Sequence, residues 1–148
     1  MLEILMANDA EKISEYTSDI QKGKKSGFLF TEVYNDILTI RRLLFLNSMV
    51  CVGEIDKEGN LDKLFSCITP SNESTAATVC CICPDEKFIE EAIKMIMGVY
   101  SHEEITKFKL IVTSTIQADI LTILKKSGFN LELSIKEPLN LDTYSFFT

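Results

Sequence analysis

Hydrophobic and polar positions alternate with a period of two in some stretches of this chain and recur at helical spacing in others. An opening strand is expected over Glu3 to Met6. A helix follows from Asn8, where Asn8 and Glu11 have capping-box spacing and Ile13, Tyr16 and Ile20 recur on one face. Lys22-Gly23-Lys24-Lys25-Ser26-Gly27 is a polar loop punctuated by glycine. A second helix starts near Thr31, with Val33, Tyr34, Ile37, Leu38, Arg41 and Leu44 at helical spacing.

Met49 to Ile55 is apolar and β-prone, Asp56 to Asn60 is a turn, and Leu61 to Thr69 is the returning strand of a hairpin. After the polar turn Pro70 to Ser74, the continuous run Thr75 to Cys83 predicts a central strand covered on both faces. Pro84-Asp85 stops that strand and starts a helix with a buried stripe of Phe88, Ile89, Ala92, Ile93, Ile96, Met97 and Tyr100. Lys109 to Thr113 is another buried-type strand. Ser114 and Gln117 then offer a capping box to a helix whose face is Ile116, Ile120, Ile123 and Leu124. Gly128 stands where a left-handed C-cap is expected, and two strands, Asn130 to Lys136 and Thr143 to Phe147, flank a turn containing Pro138. The order β-α-α-β-β-β-α-β-α-β-β predicts an α/β fold: a mixed, twisted sheet of six to seven strands with helices on both faces.

Length and charge narrow the reading further. The 148 residues fit a single domain, 1–148, and 46% apolar content is enough for a packed core. A net charge of −7 argues against nucleic acid and anionic membranes as partners. No apolar run is long enough for a membrane span, and the acid at Glu3 does not suit a secretory signal, so the expected location is the cytoplasm. The five cysteines, 51, 67, 80, 81 and 83, are therefore read as free thiols. Alternation along a strand lets only Cys81 and Cys83 share a face, and no metal site is expected.

Two stretches carry a family resemblance. Leu2-Glu3-Ile4-Leu5-Met6-Ala7-Asn8-Asp9-Ala10-Glu11-Lys12-Ile13 is one. The other runs from Ile111-Val112-Thr113-Ser114 through Ile123-Leu124-Lys125-Lys126-Ser127-Gly128-Phe129 to Tyr144. With the element order, they resemble the GNAT acyl-CoA N-acyltransferase superfamily. The resemblance implies acetyl transfer from acetyl-CoA to an amine, with the donor's pantetheine arm held by backbone hydrogen bonds where the sheet splays after the central strand.

The chain departs from that family at two places. GNAT proteins bind the CoA pyrophosphate on a glycine-rich turn before the helix that follows the fourth strand. Here that stretch is Cys83-Pro84-Asp85-Glu86-Lys87-Phe88, with no glycine and with acids where phosphates would lie. Many members also carry, four residues before the Gly of Gly-Phe, a tyrosine that protonates the departing thiolate. Leu124 stands there, and Ala118 occupies the place of a frequent asparagine.

By the resemblance, the donor-binding candidates are Ile82 and Cys83 for the arm, Pro84, Asp85 and Lys87 at the pyrophosphate turn, and Lys125, Lys126 and Tyr144 for accessory contacts. No catalytic residue is assigned. His102 is a surface or helix-end histidine before it is a general base. A second expectation, of another class, is a degenerate GNAT-fold module that binds or dimerises without catalysis. Phe146, Phe147 or the run Leu43-Leu44-Phe45-Leu46 would then supply a homodimer interface.

Overall fold

In the computed structural model, which describes every residue except 35, 72, 102, 114, 115 and 137–139, and only the backbone at 31 and 32, the alternating segments pair into one sheet. The elements are β1 (Leu2–Ile4), α1 (Ala10–Gln21), β2 (Phe28–Leu29), α2 (Ile37–Phe45), β3 (Met49–Ile55), β4 (Leu61–Ile68), β5 (Ala76–Ile82), α3 (Glu86–Val99), β6 (Lys107–Thr113), α4 (Ala118–Lys126), β7 (Asn130–Ile135) and β8 (Leu141–Phe147). The strand order is β1-β3-β4-β5-β6-β8-β7, with β2 added beside β5. All pairings are antiparallel except β5 with β6. This is the mixed α/β sheet expected from the residue pattern, with one short extra strand.

Each face of the sheet is covered by a helix pair. On one, Ile13, Tyr16, Ile40 and Leu44 of α1 and α2 pack on Cys51, Leu64, Cys80 and Cys81. On the other, Phe88, Ile89, Ala92, Ile93 and Ile96 of α3 and Ile120 and Leu124 of α4 pack on Val52, Phe65, Val79, Phe108 and Leu110. Of the stripe read for α3, Phe88, Ile89, Ala92, Ile93 and Ile96 are buried, while Met97 and Tyr100, the latter just past the helix, are half-buried. In α2 the inward positions are Ile40 and Leu44, while Ile37 and Leu38 face solvent. Helix α2 starts late because the Asp36 side chain accepts from Leu38 N–H at 3.3 Å and sets the N-cap there.

Local geometry corrects two further expectations. The first helix is entered through a 3₁₀ turn at Ala7–Asp9, and the Asp9 carboxylate accepts from Met6 N–H at 2.8 Å, so the capping contact is Met6 with Asp9 and not Asn8 with Glu11. The β4–β5 register shifts between Ser66 and Cys67, which leaves Cys80 as an extra residue on β5. Cys80 and Cys81 therefore both pack under α1 and α2, and Cys83, partly buried, touches Tyr16 of α1 as well as the margin of the opposite cluster. The Ser114 half of the second capping box, the turn at Pro138 and His102 lie outside the described residues. Gly128 has φ +105°, the left-handed turn expected after α4, and a Cβ there would meet the Phe146 ring at 2.8 Å.

Candidate functional site

The only parallel pairing in the described sheet is also the shortest of its long-strand ladders. It joins Ala76 to Lys107, Ala77 to Phe108 and Thr78 to Lys109, and then stops. Beyond it β5 stays with β4 as far as Ile82, and β6 stays with β8 as far as Thr113. The carboxyl ends of the two parallel strands therefore part, the place where open α/β sheets receive ligands. A cleft of about 320 Å³ lies there, lined by residues that include Gly27, Phe28, Leu29, Thr113, Ile116, Gln117 and Ile120.

One wall of the cleft is β2. Phe28 pairs with Ile82 and Leu29 with Cys81, and Phe30 N–H donates to the Cys80 carbonyl at 2.7 Å. Ile82 and Cys81 also pair with Phe65 and Ser66 of β4, so β2 takes the opposite edge of β5, the one turned towards β6. Antiparallel partners alternate between bonded and non-bonded pairs. With Phe30 bonded to Cys80, the Phe28–Ile82 pair is bonded as well, and the backbone N–H and C=O of Leu29 point away from β5. Gly27 makes this approach sterically feasible. Its φ is +151°, and a Cβ would stand 2.9 Å from the Ile82 carbonyl oxygen.

The amino end of α3, beside Cys83, is closed by its own residues. Cys83 N–H donates to the Leu64 carbonyl at 3.1 Å, and Asp85 N–H donates to the Cys83 carbonyl at 2.8 Å. The Asp85 carboxylate accepts from Phe88 N–H at 3.0 Å and from Lys63 Nζ at 2.9 Å, and Lys63 also meets Glu54 at 3.3 Å. The Phe88 N–H and the Lys63 ammonium hold the Asp85 carboxyl below the usual carboxylate range. Hydrogen bonding to Asp85 raises the Lys63 pKa. The helix dipole and the adjacent cation thus already have an anion, and a pyrophosphate does not fit there with Asp85 in place. Lys87, in the first turn of α3, is exposed.

The remaining candidates are dispersed. Tyr144 pairs with Leu110 and is 4% exposed, within the core under α3 and α4. Lys125 and Lys126 end α4, while Gln117 and Ile120 at its start line the cleft; nine helical residues put the two ends about 13 Å apart. Leu124 is fully buried and carries no proton to give. Ile82, Cys83, Pro84 and Asp85 are contiguous at the base of the opening, but the Ile82 edge and the Cys83 N–H already have backbone partners. Two contributors were not read from sequence: β2, signalled only by the short apolar run after Gly27, and Lys63, which the β4–β5 register brings to Asp85.

Burial sets the reactivity of the thiols. It pushes Cys51 up to about 12 and Cys80 up to about 11, and it raises Cys67 and Cys81 as well. Cys83, partly exposed beside Tyr16, is also raised, again mainly by desolvation. None is an activated nucleophile. In a thiol-labelling time course on native protein at pH 8, at most Cys83 should react, more slowly than a free cysteine; the others should react only on unfolding. Rapid labelling of two or more sites would contradict this burial. Among the described residues, no group of three or more His, Cys, Asp or Glu side chains is placed to hold a metal ion, and no helix is long and apolar enough to cross a membrane.

No protein-family profile matches the chain, and no curated protein matches it in sequence. Solved structures do match. Ribosomal-protein-S5-alanine acetyltransferase from Vibrio fischeri superposes with a TM-score of 0.69 at 11% identity, covering 99% of this chain and 91% of that one. A dodecameric structure of spermidine N-acetyltransferase from Vibrio cholerae, in an intermediate state, gives 0.69 at 15% identity, with 99% and 92% covered. A mutant of the same Vibrio cholerae enzyme gives 0.66 at 16% identity, with 99% and 94% covered. From β1 to β8, the chain has the fold of the GNAT-type acetyltransferases.

Proposed function

We propose that this chain is a cytoplasmic, single-domain acyl-CoA N-acyltransferase that acetylates an amine, with the donor's arm in the cleft between β2 and the start of α4. The observation that carries this reading is the opening itself: the β5–β6 ladder ends at Thr78 and Lys109, and a cleft lies beyond it, between β2 on one side and Thr113 and the start of α4 on the other. The spermidine acetyltransferases among its structural neighbours support an amine acceptor. Acetyl-CoA would supply an acetyl thioester. The amine nitrogen forms the new bond to the acetyl carbon, the carbon–sulfur bond breaks, and the proton lost by the amine ends on the departing sulfur. The chain's part is to align donor and acceptor and to exclude water. Its walls suit that task, with the backbone of Gly27 to Leu29 on one side and Ile116, Gln117 and Ile120 on the other.

Titration of the protein with acetyl-CoA, read by heat and by thermal shift together, tests the reading. Micromolar binding that raises the melting temperature is expected, since a ligand that binds only the folded state stabilises it. Turnover in an amine screen should follow. No binding at millimolar acetyl-CoA would retire the transferase reading. The closed end of α3 specifically favours one other function, a GNAT-fold module that dimerises without catalysis, for which Phe45, 78% exposed, and Leu46, 61% exposed, offer apolar surface. Absence of binding together with a dimer in solution would support that alternative.

A further inference from the structure

We propose that the backbone of Leu29, on β2, is the edge that holds the donor's arm, in place of the β5 backbone at Ile82 and Cys83. The inference rests on the acyltransferase reading and relocates its binding edge. The β5 edge facing the opening is occupied: Phe30 N–H bonds to Cys80, and Phe28 pairs with Ile82. The next amide along, Cys83 N–H, is held by the Leu64 carbonyl on the other side. An extended ligand therefore finds no free hydrogen-bonding group on β5 from Cys80 to Cys83 with which to continue the sheet.

Leu29 supplies what β5 lacks. The 28–82 and 30–80 pairs flank it, so its N–H and C=O are directed out of the β2–β5 ladder, on the side of the cleft that Leu29 lines. Among the described residues neither group has a backbone partner outside that ladder. One donor and one acceptor on the same residue match one secondary amide of an extended chain, the mode by which a ligand adds as a strand to a sheet edge. The ligand class is thus a thin, flexible arm carrying secondary amides, as in pantetheine. The apolar Ile116 and Ile120 face its methylenes, and Gln117 lies beside them. The close approach of Gly27 to the Ile82 carbonyl keeps β2 seated against β5, so the Leu29 edge is built into the fold.

Amide hydrogen exchange on the full chain, with and without saturating acetyl-CoA, reads this directly. The Leu29 N–H should gain protection by about tenfold or more, as a newly formed hydrogen bond requires. S-acetylpantetheine, which has the arm without the nucleotide, should do the same. In parallel, Leu29→Pro removes that N–H and leaves the two bonded pairs intact, and should weaken acetyl-CoA about tenfold, the scale of one lost hydrogen bond. Phe30→Pro removes the N–H that seats β2 on Cys80 and should weaken binding as well. The proposal is overturned if wild-type protein binds acetyl-CoA with Leu29 exchange unchanged. It is equally overturned if Phe30→Pro binds more tightly, because β5 would then be the edge and β2 an obstruction. Failure of the wild type to bind either ligand is the separate signature of a failed transferase reading, and the Leu29 assignment falls with it.

Discussion

Phe108→Ala is expected to cost about 3–5 kcal/mol of stability and to lower the melting temperature by roughly 10 °C in a chain of this size. Phe108 is fully buried in the middle of the three parallel pairs that join β5 to β6. Its ring meets Phe65 of β4 edge-on at 5.9 Å and Phe146 of β8 at 6.4 Å, so one side chain ties together the strands on either side of the opening. Truncation leaves a cavity where the sheet is held by its shortest long-strand ladder, and the surrounding strands cannot close it without moving the cleft. The comparison is Phe147→Ala. Phe147 is 64% exposed, so its loss should stay within about 0.5 kcal/mol. Urea unfolding of both variants measures the difference. A cost below about 1 kcal/mol for Phe108→Ala would mean that the backbone ladder, and not the aromatic contacts, holds the base of the opening.

What could be read from sequence follows from where the information lies. Met49–Ile55 was bounded correctly because a β-prone run ends in an acidic, glycine-containing turn, and both signals are local. Asp85 as the stop of β5 and the start of α3 is local too, and the structure has that N-cap. Strand β2 is not local. Two residues have no period, and Phe28 is in a strand only because Ile82, far along the chain, offers it an edge. The exclusion of Cys80 from the face of Cys81 fails for a related reason, since a bulge breaks alternation and is set by the partner strand. Candidates chosen through resemblance at Lys125, Lys126 and Tyr144 had no such geometric constraint, and the fold spreads them to the far end of α4 and into the core. Residues that shape the cleft, Gly27 to Leu29 and Gln117, lie on connections whose partners only the folded sheet selects.

The closed end of α3 leads to the second large effect. Wild-type protein should bind S-acetylpantetheine nearly as tightly as acetyl-CoA, because the Asp85 carboxylate already holds the helix end and Lys63, where a pyrophosphate would gain its contacts. Asp85→Gly should separate the two ligands. It removes a negative charge, releases the Phe88 N–H and leaves the Lys63 ammonium facing the helix end with Glu54 as its remaining partner. Acetyl-CoA should then tighten by about tenfold, the upper range of what a helix N-terminus contributes to a bound anion, while S-acetylpantetheine stays unchanged. The gain should fade with added salt, since the contact lies near the surface. Stability should fall by only about 1 kcal/mol or less, because glycine is a tolerated N-cap and a partly exposed ion pair is screened by solvent. That cost has a defined pH dependence. The folded-state pKa of Asp85 is depressed, so its contribution is present above the ordinary carboxylate pKa and is lost as pH falls through the lowered value. Wild type and variant should therefore converge in stability at acid pH and differ most near neutrality. Equal tightening of both ligands would place the effect of Asp85 on the arm and not on the nucleotide. If neither ligand tightened, the acidic cap would not be what keeps a pyrophosphate from this helix.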